Sequence, residues 1–140
     1  MDAILPHRPP MRFVDAARRE GPASVHGEWT APRSGPWIRG ASLRRVAVLE
    51  FAAQTAAAHA GIERLERGLP PLSGFLGGVE GFVFEDEASA GERLRCRVEV
   101  RFRLGGTVRV SCDVRGGDGR PVARGELSLV VPPAREPGRG

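Results

Sequence analysis

Arg44-Arg45-Val46-Ala47-Val48-Leu49-Glu50-Phe51-Ala52-Ala53-Gln54-Thr55-Ala56-Ala57-Ala58-His59-Ala60 decides the architecture of this chain. Ala, Leu, Glu and Gln favour helix, and the run is apolar on almost every side. A helix apolar all round is a buried one. The pattern predicts a helix from Arg44 to Arg67, with Ser42 able to cap its start. Gly61 is expected to weaken the last turns, and Gly68 followed by Pro70-Pro71 closes the element. Ile62 to Arg67 reads as a more exposed end.

On the N-terminal side, Met11–Arg19 and Ala23–Thr30 read as two short strands around a Gly21-Pro22 turn. A loop rich in Pro, Gly and Arg follows, from Ala31 to Ala41. On the C-terminal side the period changes to two. Leu94, Cys96, Val98, Val100, Phe102 and Leu104 alternate with Arg95, Arg97, Glu99, Arg101 and Arg103, which puts one face in the core and one in water. Val108, Val110, Cys112 and Val114 repeat the pattern. Matching apolar faces requires Leu104 opposite Val108, across a loop Gly105-Gly106-Thr107. The next turn, Asp118-Gly119, sets Val114 opposite Ala123, so that Gly125, Leu127, Leu129 and Val131 face inward. In this register Cys112 opposes Val100, about 13 Å of strand from Cys96, too far for a disulfide. Strands begin near Gly74. One antiparallel sheet wrapped around one long central helix satisfies the order, an α+β fold over residues 1–131, with 132–140 a disordered tail. Such a sheet leaves an edge strand open and favours edge-to-edge dimerisation.

Composition narrows the function. The net charge is +4, yet all 21 basic residues are Arg, and the chain has no Lys, Asn or Tyr. A GC-rich coding bias accounts for this, which weakens any functional meaning of the charge. The arginines are dispersed, whereas nucleic-acid binding wants a basic patch interleaved with aromatics. A mildly basic surface still suits an acidic protein partner. No run is apolar enough for a membrane span, and no leader is read at Met1–Pro6. Two cysteines without an export signal point to reduced thiols and a cytoplasmic location.

Glu50 is the residue most out of place. A carboxylate among apolar neighbours is costly unless paired or protonated. Desolvation would raise its pKa and suit a general acid; alternatively it snorkels to the helix surface or pairs with an Arg. Gln54 shares its face one turn on and either orients the carboxylate, touches substrate, or is a polar spacer. His7 sits in the stiff segment Pro6-His7-Arg8-Pro9-Pro10-Met11. His26 and His59 read as surface or core histidines. No His, Cys or Asp spacing suggests a metal, and no cofactor motif is present. In Ser73-Gly74-Phe75-Leu76-Gly77-Gly78-Val79 the glycines either mark a bulge or let a backbone N–H approach a thioester carbonyl.

With these residues in view, the chain resembles the β-hydroxyacyl-acyl carrier protein dehydratases of the hotdog superfamily, most closely the small thioester dehydratases of aryl polyene-type pathways. The likeness runs from about Ile4 to Val131. It is carried by Leu5-Pro6-His7-Arg8-Pro9-Pro10-Met11 with Val14-Asp15, by Val48-Leu49-Glu50-Phe51-Ala52-Ala53-Gln54, by Gly74-Phe75-Leu76-Gly77-Gly78, and by Gly91-Glu92. The resemblance implies a hotdog fold and formation of trans-2-enoyl thioesters from 3-hydroxyacyl groups in a fatty acid, aryl polyene or polyketide pathway. The substrate would be held on the phosphopantetheine of an acyl carrier protein, with no cofactor. It implies a histidine that removes the α-proton and a helix acid, here Glu50, that protonates the departing hydroxyl. It also implies a backbone N–H near Gly77 and Gly78 that polarises the carbonyl, at the interface of a homodimer or a heterodimer with another hotdog subunit.

The common dehydratases place their histidine in a Gly-His-Phe-Pro loop before the helix. Here that loop, Thr30 to Gly40, has none, and Arg is too basic to replace it. Either His7 takes the role, or a partner subunit supplies the histidine, or the chain is not a competent dehydratase. The likeness to the aryl polyene-type members, which also lack the loop histidine, favours the first two. An acyl thioesterase of the same fold and a non-catalytic subunit pairing with an active dehydratase are the alternative functions.

Overall fold

The alanine-rich segment forms one helix, α1, Arg45–Glu66, in the computed structural model, which describes Ile4, residues 11–70 and residues 75–130. Its start differs from the expected one. Arg44 is the N-cap, with extended backbone and no side-chain capping bond. Ser42 lies in a two-residue strand and its hydroxyl donates instead to Glu87 at 2.9 Å. At the other end Gly68 adopts a φ of +71°, and the Leu69 N–H returns to the Arg64 carbonyl at 2.9 Å, closing the helix. Gly61 does not break the last turns. It is buried, and a Cβ there would run into the backbone carbonyl of Ile4. Glycine lets Ile4 lie directly against the helix at this point.

Among the described residues eight strands accompany α1: β1 Ala16–Gly21, β2 Ser24–Thr30, β3 Ile38–Arg39, β4 Ser42–Leu43, β5 Phe75–Phe84, β6 Arg93–Leu104, β7 Thr107–Arg115 and β8 Pro121–Val130. β3 and β4 form a small hairpin. The other six make one antiparallel sheet in the order β1-β2-β6-β7-β8-β5. The helix packs on β2, β6, β7 and β1, touches β8 lightly, and has no comparable contact with β5. Val25, Trp29, Leu94, Cys96, Val98, Val110, Val114 and Leu127 face Ala47, Val48, Phe51 and Ala52 in the core. Gly27 brings the two layers close: a Cβ there would meet Thr55 Oγ1 at 2.5 Å.

Three expectations are corrected. The first strand starts at Ala16, not Met11, because residues 11–15 make other bonds; Asp15 accepts from the Thr30 N–H at 2.8 Å. Leu104 pairs with Thr107, not Val108, because Gly105 at a φ of +59° allows a tight Gly105-Gly106 turn. A bulge between Val100 and Phe102 shifts the register by one more residue in the same direction. Beyond it Phe102 and Leu104 are 51% and 76% exposed rather than in the core. The tighter turn and the bulge together, two residues of shift, set Cys112 opposite Val98 and Cys96 opposite Val114. The two cysteines are therefore neighbours, not 13 Å apart; both are free and buried. Burial first, and then the adjacent Cys112 thiol, push the Cys96 thiol well above the usual range.

Val114 does pair with Ala123, although the connecting loop, with Asp118-Gly119 at its tip, closes through a Gly116 N–H to Arg120 carbonyl bond of 3.0 Å. Arg120 holds this loop to the one before β6. Its guanidinium donates to Glu92 at 2.6 and 2.9 Å, to Asp86 at 3.0 Å and to the Glu87 carbonyl at 2.6 Å. Glu92 also accepts from the N–H groups of Ser89 and Gly117. The Arg120 hydrogen bond, supported by those two N–H groups, holds the Glu92 carboxyl down at about 2 against its burial. The Gly91-Glu92 pair thus has a structural role, the fastening of two loops. Val131 and the 132–140 tail lie outside the described residues.

Candidate active site

Glu50 sits one turn and a half into α1. It is half-buried, not fully buried as its apolar neighbours suggest. The reason lies in the packing of α1: the face bearing Val46, Leu49 and Glu50 is left uncovered, with Val46 55% exposed. Among the described residues no arginine pairs with Glu50, so the arginine-paired reading does not apply, and the half-buried position is that of a carboxylate reaching the helix surface.

Its polar neighbour is Gln54, one turn on and 1% exposed. The Gln54 amide donates to Glu50 Oε1 at 3.1 Å and to the Met11 carbonyl at 2.9 Å. The Gln54 carbonyl oxygen accepts from the Phe13 N–H at 2.7 Å. Both N–H donors of the amide are thus engaged, one by Glu50 and one by the Met11 carbonyl. The same bonds pin residues 11–13 to the helix. Phe13 is 1% exposed and stacks edge-on with Trp29 and Trp37 at 5.2 and 5.1 Å. Trp37 occupies the loop before α1, and its carbonyl accepts from the Arg44 N–H. This anchorage of the N-terminal segment was not foreseen; the only sequence signal was a Gln at four residues from a Glu.

His7 lies outside the described residues. The other histidines are elsewhere. His26 is on the outer face of β2, 3.8 Å from Glu20 and 3.5 Å from Glu28. His59 is buried nine residues beyond Glu50, which places it on the opposite side of the helix and about 14 Å along it. Its Nε2 lies 3.1 Å from the Pro22 carbonyl. Neither faces Glu50.

Gly77 and Gly78 lie on β5, where the pairing with β8 shifts between Leu76 and Gly78. The bulge foreseen as one reading is present, and Gly77 is its unpaired residue. A Cβ on Gly77 would press on Val130 at 3.0 Å, whereas one on Gly78 would meet nothing within 4 Å. Packing among the described residues gives no reason for glycine at 78. β5 is an edge strand lacking substantial contact with α1, so one chain does not press Glu50 and Gly78 together. A polar groove of about 530 Å³, lined by Arg19, Pro22, Glu63, Glu66, Arg67 and Arg103, lies at the far end of the helix. No described helix is long and apolar enough to cross a membrane.

Comparison with known proteins adds to this geometry. A family model described as ApeP-like, ApeP dehydratase, matches residues 1–137. No curated protein matches. Among solved structures, the dehydratase heterocomplex ApeI:P from Xenorhabdus doucetiae is similar with a TM-score of 0.79 at 20% identity, covering 94% of this chain and 90% of that one. The PaaI protein of the E. coli phenylacetic acid degradation operon has a TM-score of 0.64 at 13% identity, covering 79% and 74%. A hypothetical thioesterase with coenzyme A from Streptococcus pneumoniae TIGR4 has a TM-score of 0.64 at 13% identity, covering 88% and 91%. At these identities the likenesses establish the fold, an α+β hotdog, and nothing finer.

Proposed function

The chain belongs to the ApeP-like family of hotdog dehydratases, and on that premise we propose that it converts 3-hydroxyacyl groups on an acyl carrier protein into trans-2-enoyl thioesters. The observation that carries the assignment of roles is the Gln54 amide, which joins the Glu50 carboxylate to the backbone of the segment that follows His7. In the proposed step His7 removes the α-proton. The electron pair forms the double bond, and the β-hydroxyl takes a proton from Glu50 and leaves as water. A backbone N–H at Gly78 stabilises charge on the thioester oxygen. The lack of any other described histidine facing Glu50 supports His7, or a partner's histidine, as base.

The uncovered face of α1 supports a second hotdog subunit added along the β5 edge. It would cover Val79, 42% exposed on β5, and bring the glycine bulge of its own β5 to Glu50, leaving Val46 at the start of the helix free. The ApeI:P heterocomplex is a precedent for such pairing in a protein of similar fold. The cytoplasm, where buried thiols stay reduced, is the proposed location, and the reaction needs no cofactor.

The test is product analysis with a 3-hydroxyacyl-carrier protein. Enoyl product should form, and Glu50→Gln and His7→Ala should each lower its rate by about 10²–10⁴-fold. An unaltered rate in His7→Ala removes His7 from the mechanism. Release of free thiol without enoyl product would instead identify a thioesterase. The missing loop histidine and the heterocomplex favour one second reading, a subunit inactive alone whose partner restores activity; mixing with a partner hotdog subunit decides it.

A further inference from the structure

Every arginine of the strands, except Arg39 and Arg95, lies in ion-pair distance of a carboxylate. One short stretch departs from this. Arg39, Arg44 and Arg45 are all exposed and have no described acidic partner. They are also brought together. Arg39 pairs with Ser42 in the β3–β4 hairpin, the Arg44 N–H bonds the Trp37 carbonyl at 2.8 Å, and Arg45 begins α1 with its guanidinium 5.2 Å from the Phe84 ring centre. The acidic groups of the adjoining loop are engaged elsewhere: Glu85 with Arg124, Asp86 with Arg120, and Glu87 with the Ser42 hydroxyl.

Arg39 and Arg44 have no described charged partner, and Arg45 has only the Phe84 ring. The N-terminus of a helix carries partial positive charge and favours anions. Here the first turn has no acidic residue, and the N-cap makes no side-chain bond. Three unpaired positive charges repel one another and the helix end, so an external anion is what would relieve them. The shape argues for a protein surface over a small anion. The charges spread over a hairpin and a helix end without an enclosing cavity, and they flank the exposed apolar Val46, the mixed pattern of a recognition surface. Val46 is one turn from Glu50 on the same helix face, so the surface borders the candidate catalytic carboxylate.

We infer that Arg39, Arg44 and Arg45, around Val46, form the docking surface for an acidic face of the carrier protein that delivers the substrate. This rests on the carrier-borne substrate proposed above and assigns its landing site. Charge attraction of this kind acts chiefly on association and weakens with salt.

The test uses the full chain, with its partner subunit if activity needs one, and an acidic holo-acyl carrier protein as probe. Binding is followed by biolayer interferometry at low and high salt. Arg39→Glu/Arg44→Glu should raise Kd on the order of tenfold or more and flatten its salt dependence, and Arg39→Lys/Arg44→Lys should restore most of the affinity. Arg67→Glu and Arg95→Glu, which reverse unpaired charges elsewhere, should leave Kd unaltered. In turnover, the ratio of kcat/KM for carrier-bound over N-acetylcysteamine-bound 3-hydroxyacyl substrate should fall by a similar factor. Unaltered carrier binding in Arg39→Glu/Arg44→Glu, or equal weakening by the Arg67 and Arg95 changes, overturns the assignment. Carrier binding that depends on Arg39 and Arg44, with no enoyl product from either substrate, supports the docking surface and rejects the dehydratase reading instead.

Discussion

Replacing Gln54 by alanine tests whether its amide is the clasp between the N-terminal segment and the helix. Three bonds are lost, to Phe13, Met11 and Glu50, and they are not equal. The Phe13 N–H belongs to a residue 1% exposed, and leaving it without an acceptor costs about 1–3 kcal/mol. Met11 is exposed and Glu50 half-buried, so water can replace the amide at both and their loss costs little. The void left by the side chain adds about 1 kcal/mol. The sum is about 2–4 kcal/mol, which for 140 residues lowers Tm by roughly 6–15 °C. Thermal unfolding measures the whole effect, and amide hydrogen exchange at Phe13 locates it. A Tm lowered by less than about 2 °C, with the Phe13 amide still protected, would refute the clasp. Gln54→Glu sharpens the test. It keeps the volume but sets an acid where the amide donated to Glu50 Oε1 at 3.1 Å. Two carboxyls so close cannot both ionise easily, so the folded pair holds a proton to higher pH than the unfolded chain. Its stability is then fullest below about pH 4.3 and is lost as pH rises through the raised value. A variant equally stable at pH 4 and pH 7 would contradict that geometry.

Other consequences are independent of this clasp. Glu92, held at about 2 in the folded chain by Arg120, contributes stability above its ordinary value of 4.5 and loses it as pH falls towards 2. Glu92→Gln should therefore cost about 2 kcal/mol at neutral pH, and urea midpoints should converge with those of the native chain on acidification; a constant difference down to pH 2 speaks against the bond. Gly27→Ala places a methyl within 2.5 Å of Thr55 Oγ1 and should cost about 1–3 kcal/mol. Adding Thr55→Ala should recover part of that cost, whereas strictly additive losses would show that the two residues do not meet. Cys96 and Cys112, 0% and 4% exposed, should react with a thiol reagent only as fast as the chain unfolds; prompt labelling of native protein would be incompatible with the core described.

Much of the fold was legible in local patterns. The all-round apolar run at Val46–Ala60 marked the central helix, and the alternation at Leu94–Val100 marked the longest strand. The reading failed where two local solutions look alike in sequence. Gly105-Gly106-Thr107 is compatible with a two-residue or a three-residue turn, and the tighter one, together with the bulge between Val100 and Phe102, moves Phe102 and Leu104 to the outer face and brings the cysteines together. Ser42 had the chemistry of a cap, but the β3–β4 hairpin claimed it.

The candidate site divides in the same way. Residue type and spacing singled out Glu50 and Gln54, because a carboxylate and an amide one turn apart in an apolar helix are conspicuous in any context. Burial is a different kind of property, since it depends on which neighbour covers each side of the helix. Five strands of the sheet pack on α1, but the edge strand β5 stands away from it, so the face of Glu50 stays open among the described residues. The amide of Gln54 finds partners 41 and 43 residues away in the chain. The sequence by itself determined the helix, the strand period and the odd carboxylate, all products of interactions within a few residues. Only the tertiary structure decided register, cysteine proximity and the exposure of Glu50, because these depend on segments that meet only once the chain has folded.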